Sequence, residues 1–188
     1  MKRPIIFAAA ALLLFTAPSF AQDTAAPAND AGTVALEQMS KVTRAQDFAM
    51  LAATSDMFEI QSGEMAQKQG GNPGVQEFGA HLVKDHSMST AELTKIVEAE
   101  KLDAALPAKL DPRHQAIVDS LQDAKAEGFD AAFLQSQIQA HREGIALFEA
   151  YAQNGDNAQL KGFAQKGLPV LKQHLAMAQT LAGMATTQ

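Results

Sequence analysis

Four long segments of this chain carry apolar residues at every third or fourth position, which is the spacing of one face of an α-helix. Strong turn signals end two of these segments, at Gly70-Gly71 and at Asn154-Gly155. The pairs Asn72-Pro73 and Asp111-Pro112 are typical of an N-cap followed by proline at the first helical position. No segment shows the period-two alternation of a strand. The pattern therefore predicts an all-α fold in the form of a four-helix bundle.

The cap signals also predict where the helices begin and end. Thr43 and Gln46 form a capping box before the first helix, while Asp130 and Asp156 are the predicted caps of the third and fourth. A short helix belongs to the connection between the second and third long helices. The predicted ranges, with the short helix in third place, are 44–69, 73–101, 112–126, 131–153 and 157–181.

The first residues are typical of a secretory signal peptide. Lys2 and Arg3 precede an apolar run, and the small residues Ser19 and Ala21 form a cleavage site. Cleavage near Ala21 predicts a periplasmic or secreted protein, and no later segment has the ~20 apolar residues that a membrane span needs. The predicted divisions are a signal peptide over 1–21, a flexible lead-in over 22–42, the helical domain over 43–182 and a frayed tail over 183–188.

Composition excludes several classes of function. The 188 residues contain no Cys, so disulfides, thiolate zinc sites and iron–sulfur clusters are excluded. A net charge of −6 without a run of Lys or Arg argues against nucleic acid as a partner. Trp is absent and Tyr occurs once, which argues against an aromatic platform for sugars or bases. The sequence does not indicate which protein, if any, is a partner.

One polar residue interrupts the apolar stripe of each long helix, and burying such a group without a partner is costly. These residues are Glu59, His86, His141 and His174. At ~1.5 Å per residue, the first three lie about 20 Å from the nearest turn and His174 lies about 7 Å deeper. Pro169 precedes His174 by five residues and is able to bend its helix. The spacing predicts one shared polar site inside the bundle.

Three interpretations of these four residues stay open. They bind one divalent ion of Zn, Cu, Fe or Mn, they form a hydrogen-bonded core that fixes helix register, or they line a small-ligand or catalytic pocket. Asp85 either accepts a hydrogen bond from His141 or His174 or is solvated at the stripe edge. No residue is predicted to be catalytic. Side chains expected outside the site are Asp56, Glu64, His81 and His114 on the surface, and Met88 and Met177 as apolar filling.

The chain resembles a bacterial secreted family, the ferritin-like domain of unknown function 4142, in the segments FEIQSGEMA, KDHS, FDAAFLQSQIQAHREGIALFEAY and GLPVLKQHLAMA. The resemblance runs from Thr43 to Ala182. It implies a ferritin-like four-helix bundle whose two hairpins are joined by a long crossover containing a short extra helix. It implies no assigned reaction. The family pattern falls on Glu59, Asp85, His86, His141, Pro169 and His174.

The sequence departs from the di-metal pattern of ferritin-type proteins, which use a Glu-x-x-His pair on each of two helices. Val83 and Leu171 stand three residues before His86 and His174, so both pairs are missing. Two-metal oxygen chemistry is therefore not supported, and three imidazoles with one carboxylate suit a single divalent ion. The alternative is a structural or stress-related binding or adaptor module, and a metal-centred redox enzyme is the least favoured interpretation.

Overall fold

The computed structural model describes residues 28–124 and 126–185. These residues form helices and no strand, which confirms the all-α prediction. The predicted signal peptide over 1–21 lies outside the described residues. The predicted frayed tail begins inside the last helix, which continues to Ala185. The helices are α1 (Ala28–Met39), α2 (Ala45–Gln69), α3 (Pro73–Ala99), α4 (Pro112–Asp123), α5 (Ala126–Asn154) and α6 (Ala158–Ala185).

Two of the predicted caps hold their helices as expected. The Asn72 side chain accepts a hydrogen bond from the Gly74 N–H at 2.8 Å at the start of α3. The Asp111 side chain accepts hydrogen bonds from two backbone N–H groups at the start of α4. Both caps stand directly before a proline, whose fixed φ angle suits the first helical position.

The other caps differ from the prediction. Arg44, not Thr43, is the N-cap of α2, and no side chain caps that end. In the first turn of α6, the Asn157 side chain accepts a hydrogen bond from the Leu160 N–H at 3.0 Å. Asp130 lies inside α5 and accepts hydrogen bonds from the backbone of Gly71 and Asn72, at 3.0 and 2.8 Å. Asp130 therefore joins the turn between α2 and α3 to α5 through these hydrogen bonds.

The structure also differs from the flexible lead-in predicted over 22–42, because α1 occupies most of it. This helix packs against α5. A Cβ atom at Gly32 would come within 2.9 Å of Gln139 Nε2, so the contact between the two helices is close. Ala35 is buried while its neighbour Val34 is exposed. Such a narrow apolar edge gives a weak periodic signal, and contact with α5 stabilises the helix instead.

The four long helices pack mainly as two pairs, α2 with α3 and α5 with α6. Further contacts join α2 to α5 and α3 to α6. Glycines allow the close approach in the first pair, since a Cβ atom at Gly79 would lie 2.6 Å from the Gly63 carbonyl oxygen. The connection between the pairs contains α4, which Arg113 ties to Glu143 of α5 through two hydrogen bonds of 2.7 Å.

Most of the buried side chains on the long helices form three successive regions. The first apolar cluster includes Phe48, Leu93, Phe148, Tyr151 and Phe163. The second apolar cluster includes Val75, Phe78, Leu82, Phe133 and Ala178. On each long helix, buried polar residues stand between these clusters. We call this region, without Glu143, which pairs with Arg113 of α4, the polar layer; its members are Asp56, Glu59, Ser62, His86, Gln137, His141 and His174.

Candidate metal centre

Three imidazole rings from three different helices meet in the polar layer. His86 of α3, His141 of α5 and His174 of α6 are between 1 and 4% exposed. Their ring centroids are 5.9, 5.5 and 5.3 Å apart. Each ring offers one nitrogen that lies within 4.8 Å of a nitrogen from both of the others. Phe78 of the second apolar cluster packs against the rings of His141 and His174.

One nitrogen of each ring is fixed by a hydrogen-bond acceptor. His86 Nδ1 donates to Asp56 Oδ1 at 2.7 Å. His141 Nδ1 donates to the Gln137 carbonyl oxygen at 2.9 Å, and His174 Nε2 donates to Asp85 Oδ2 at 3.1 Å. Carboxylate and carbonyl oxygens only accept hydrogen bonds, so the ring proton stands on these nitrogens. In the neutral rings, the other nitrogen therefore carries a free lone pair.

These other nitrogens belong to a small group of buried polar atoms without a partner. Among the residues that the structure describes, five buried side-chain nitrogen or oxygen atoms have no hydrogen-bond partner, and all five lie in the polar layer. Buried polar groups rarely lack a partner, because no hydrogen bond then compensates for the hydration free energy that is lost on burial. The five atoms are Glu59 Oε2, His86 Nε2, Gln137 Oε1, His141 Nε2 and His174 Nδ1.

Glu59 is buried beside the imidazoles but is not part of the group of three. Its Oε1 lies 3.7 Å from His141 Nδ1, which is the nitrogen already bonded to the Gln137 carbonyl. Burial raises the pKa of Glu59 to about 7, against the opposing influence of a positive His86. The structure therefore brings three of the four predicted residues together and places the fourth behind the ring of His141.

The three imidazoles differ in their affinity for protons. Burial lowers the pKa of His141, and the neighbouring His86 and His174 lower it further. Burial and the charge of His86 also lower the pKa of His174, although Asp85 opposes them. Burial has the same effect on His86, but its hydrogen bond to Asp56 and the nearby carboxylates outweigh it and raise the pKa. In the three-ring group, His86 is the ring that holds a proton most readily.

The chain matches the model of one family over residues 26–181, and that family is described as Domain of unknown function (DUF4142). The chain belongs to this family. The match contains the whole polar layer and reaches further towards the N-terminus than the resemblance that begins at Thr43. No curated protein and no solved structure matches the chain. The family's description assigns no function, so the functional evidence is the geometry of the polar layer.

Asp56 corrects the prediction that placed it at the surface. It is 3% exposed, and besides His86 it receives a hydrogen bond from the Thr90 hydroxyl at 3.3 Å. Asp56 and Glu59 are three residues apart, so they share a helix face. The same rule that identified Glu59 could have identified Asp56, and its strong hydrogen bond to His86 makes it part of the site.

The remaining polar and Met side chains fall around the site rather than in it. Asp85 bonds to His174, which is one of the two alternatives left open by the sequence. His81 is exposed as predicted, whereas His114 is only partly exposed and pairs with Asp111, the N-cap of α4. Met88, expected as apolar filling, is 57% exposed. No helix in the described residues is long and apolar enough to cross a membrane.

Proposed function

We propose that the protein binds one divalent transition-metal ion through His86 Nε2, His141 Nε2 and His174 Nδ1. One observation carries the proposal: these three nitrogens are buried and unpartnered, while the opposite nitrogen of each ring is fixed by a carboxylate or carbonyl oxygen. Metal-binding histidines show this arrangement, because the outer hydrogen bond selects the tautomer and orients the ring. A core that served only to fix packing would pair these nitrogens with one another or with the chain.

The spacing of the rings fits such an ion. Three atoms within 4.8 Å of one another leave a centre no more than about 2.8 Å from each, while Zn–N bonds measure about 2.0–2.1 Å. Side-chain movements of less than about an ångström are therefore enough to close the site around the ion. Neutral imidazole suits Zn, Cu and Fe ions in proteins, whereas Mn prefers oxygen ligands such as a carboxylate, and three imidazoles leave at least one position for water or another ligand.

The carboxylates of the site have separate roles in this proposal. Asp56 and Asp85 orient His86 and His174 and offset part of the positive charge of the ion. Glu59 supplies a further buried negative charge, and its unpartnered Oε2 is available as a fourth ligand after a change of side-chain conformation. A bound ion would act as a Lewis acid or as a redox centre according to its identity. We assign no turnover to the site.

We further propose a ferritin-like four-helix bundle as the scaffold. The support is the packing of α2 with α3 and of α5 with α6, together with the long connection that contains α4. The bundle differs from di-metal members of that class, because Val83 and Leu171 occupy the positions of the missing Glu residues. A measured structure with a different connectivity or helix arrangement would overturn this part.

Export to the periplasm or the medium is the proposed localisation. Its support is the sequence of residues 1–21, with Lys2 and Arg3 before an apolar run and small residues at the cleavage site. The intact mass of protein from the periplasmic fraction or the medium is expected to correspond to a chain that begins at Gln22. Protein retained in the cytoplasm with its first 21 residues would contradict export.

Elemental analysis and thermal melts test metal binding. Wild-type protein stripped with a chelator is titrated with Zn(II), Cu(II), Fe(II) or Mn(II), and at least one ion is expected to bind near one per chain and to raise the Tm. His141→Ala removes the most deeply buried ring and is expected to abolish this response. Binding should also weaken as the pH falls, beginning with protonation of His86, whose pKa is raised above the ordinary value of 6.5, because protons compete with the ion for the imidazoles.

His81→Ala is the matched control, since His81 is an exposed histidine on α3. It should bind metal like the wild type. An equal metal response in wild type and His141→Ala would contradict ligation. Loss of stability in His141→Ala, with no metal response in either protein, would favour a polar core that only fixes helix packing.

A further inference from the structure

A cavity of about 200 Å³ lies directly beside the polar layer, between the four long helices. Asp56, Asp85 and His86 form the part of its wall that borders the metal centre. Much of the remaining wall is apolar and includes Phe148, Phe163 and Leu171. For comparison, a dry apolar cavity of about 150 Å³ is large enough to bind benzene. The volume therefore suits a molecule the size of a substituted benzene ring.

Two exposed apolar side chains line this cavity. They are Met88 of α3 and Val170 of α6, which are 57% and 38% exposed, and the exposed ion pair of Lys166 and Glu92 lines the cavity as well. The described residues contain four exposed large hydrophobic side chains, and two of them line this cavity. Exposed apolar side chains at a cavity are typical of a site that receives an apolar group.

The charges on the wall indicate what else the ligand carries. The positive groups among the lining residues are Lys166, which pairs with Glu92 at 3.0 Å, and His86, which pairs with Asp56 at 2.7 Å. Asp85 is left without a cationic side chain of its own at the cavity. Its Oδ2 accepts from His174, and its side chain is 27% exposed. The wall therefore presents a carboxylate that favours a hydrogen-bond donor with positive charge.

We propose that this cavity binds a small organic amine with an apolar body, whose ammonium group contacts Asp85 and whose apolar part packs between Phe148, Phe163 and Leu171. An anion of the same size would meet the Asp85 carboxylate at close range and is disfavoured by repulsion. An uncharged alcohol keeps the packing and one hydrogen bond but loses the ionic contribution. The proposal does not depend on a bound metal ion, because the cavity and its charges are formed by the chain itself.

Three probes of equal size separate these contributions: benzylamine, benzyl alcohol and benzoate. Each is titrated by NMR and calorimetry into full-length protein in the presence of a chelator, so that no metal ion can ligate the amine or the carboxylate. Benzylamine is expected to bind saturably, with shifts confined to the cavity residues. Benzyl alcohol should bind about tenfold more weakly, and benzoate should not saturate. Failure of metal binding leaves these results unchanged, so the two proposals are tested separately.

Two substitutions locate the site. Asp85→Asn should weaken benzylamine about tenfold, to the level of the alcohol. Gly144→Ala places a methyl group in the wall, where the nearest atoms, on Leu171, would be 3.7 and 3.9 Å away, so it reduces the cavity without a clash. It should weaken all probes that bind. Gly162→Ala is its control, because it makes the same exchange within α6, where the added Cβ would have no contact within 4 Å apart from its own stretch of helix.

The proposal is overturned if benzylamine does not saturate, or if benzoate binds as tightly as benzylamine. It is also overturned if Asp85→Asn leaves the preference for the amine unchanged. Equal binding by Gly144→Ala, Gly162→Ala and wild type would place the probe elsewhere on the surface.

Discussion

The two apolar clusters and the polar layer between them are equally buried but are built on opposite principles. Phe48, in the first cluster, is surrounded by Phe148, Tyr151 and Phe163, with ring centroids 5.2, 4.1 and 6.2 Å away. Such apolar contacts leave no polar atom of these rings without a hydrogen-bond partner. In the polar layer, five buried atoms lack a partner, and buried carboxylates stand beside buried imidazoles. The clusters therefore provide stability, while the polar layer consumes part of it.

This difference explains how the three rings are held in a fixed orientation. Packed clusters on both sides fix the four helices, and the outer nitrogen of each ring is fixed again by a hydrogen bond. The three inner nitrogens cannot rotate towards water or towards new partners without breaking those bonds. A region that costs stability in the free protein is expected to recover it when a ligand satisfies the unpaired atoms.

The largest effect is expected from a substitution in the first apolar cluster. Phe48→Ala leaves a cavity among three aromatic rings and should lower the free energy of unfolding by about 3–5 kcal/mol. The metal stoichiometry of the protein that remains folded should not change, because Phe48 is not in the polar layer. Urea unfolding and elemental analysis measure the two quantities. Met50→Ala, at an exposed position on the same helix, should change stability by less than about 0.5 kcal/mol.

Glu59→Gln tests whether the polar layer costs stability. Burial raises the pKa of Glu59 from 4.5 to about 7, so between these values the folded protein binds more protons than the unfolded chain. Wild-type stability should therefore fall as the pH rises through this window. A shift of this size corresponds to about 3 kcal/mol, so metal-free Glu59→Gln should be more stable than wild type by up to this amount at pH 8.

Below about pH 4.5 the two proteins should be equally stable, since Glu59 is then protonated in both states. Urea unfolding in the presence of a chelator at pH 4 and pH 8 makes the comparison. Glu64→Gln, an exposed carboxylate on the same helix, is the control and should show little difference at either pH. A stability difference for Glu59→Gln that is the same at both pH values would contradict a buried, titrating Glu59.

Asp56→Asn is expected to have the next largest effect, on metal binding rather than on folding. The carboxylate accepts the short bond from His86 and supplies a buried negative charge. Loss of such an outer partner typically costs 10–100-fold in metal affinity. Competition with a metal-sensitive dye measures the affinity. Asp47→Asn, near the start of α2 and exposed, should bind like the wild type.

The smallest effect on metal affinity is expected for Asp85→Asn. Asp85 also accepts from a ring of the site, but the bond is longer, and the side chain is 27% exposed against 4% for Asp56. Water can replace part of its contribution, so the loss should stay below about tenfold. The same dye competition applies. An effect larger than that of Asp56→Asn would show that burial does not rank these two carboxylates.

Local signals in the sequence were sufficient for much of the fold. The apolar spacing and the caps at Asn72 and Asp111 predicted the long helices to within a few residues, because these features act within one helix. The cap role given to Asp130 was wrong, since its carboxylate reaches the turn between two other helices. Helix α1 was missed for the same reason. Its stability comes from α5, which a local pattern does not reveal.

The candidate site also has a part that signals within one helix predict and a part that depends on contacts between helices. Polar residues on apolar stripes identified the three histidines, because burial of an imidazole is unusual on any helix. The number of residues between His174 and the nearest turn predicts a level about 7 Å deeper than that of the other three residues. In the structure, its ring centroid lies 5.3 Å from that of His141. Counting fixes the level of a residue only within one hairpin. Which carboxylate meets which ring depends on contacts between helices, and for that reason the surface position predicted for Asp56 was wrong.

X-ray absorption of the zinc-loaded protein shows whether the three rings converge on one ion. Zn(II) at one equivalent per chain, near pH 7.5, is expected to show three imidazole ligands with Zn–N distances of about 2.0–2.1 Å. His141→Ala should lose one of the three or fail to hold the ion. A spectrum dominated by oxygen ligands, with fewer than two imidazoles in the wild type, would contradict a metal centre in the polar layer.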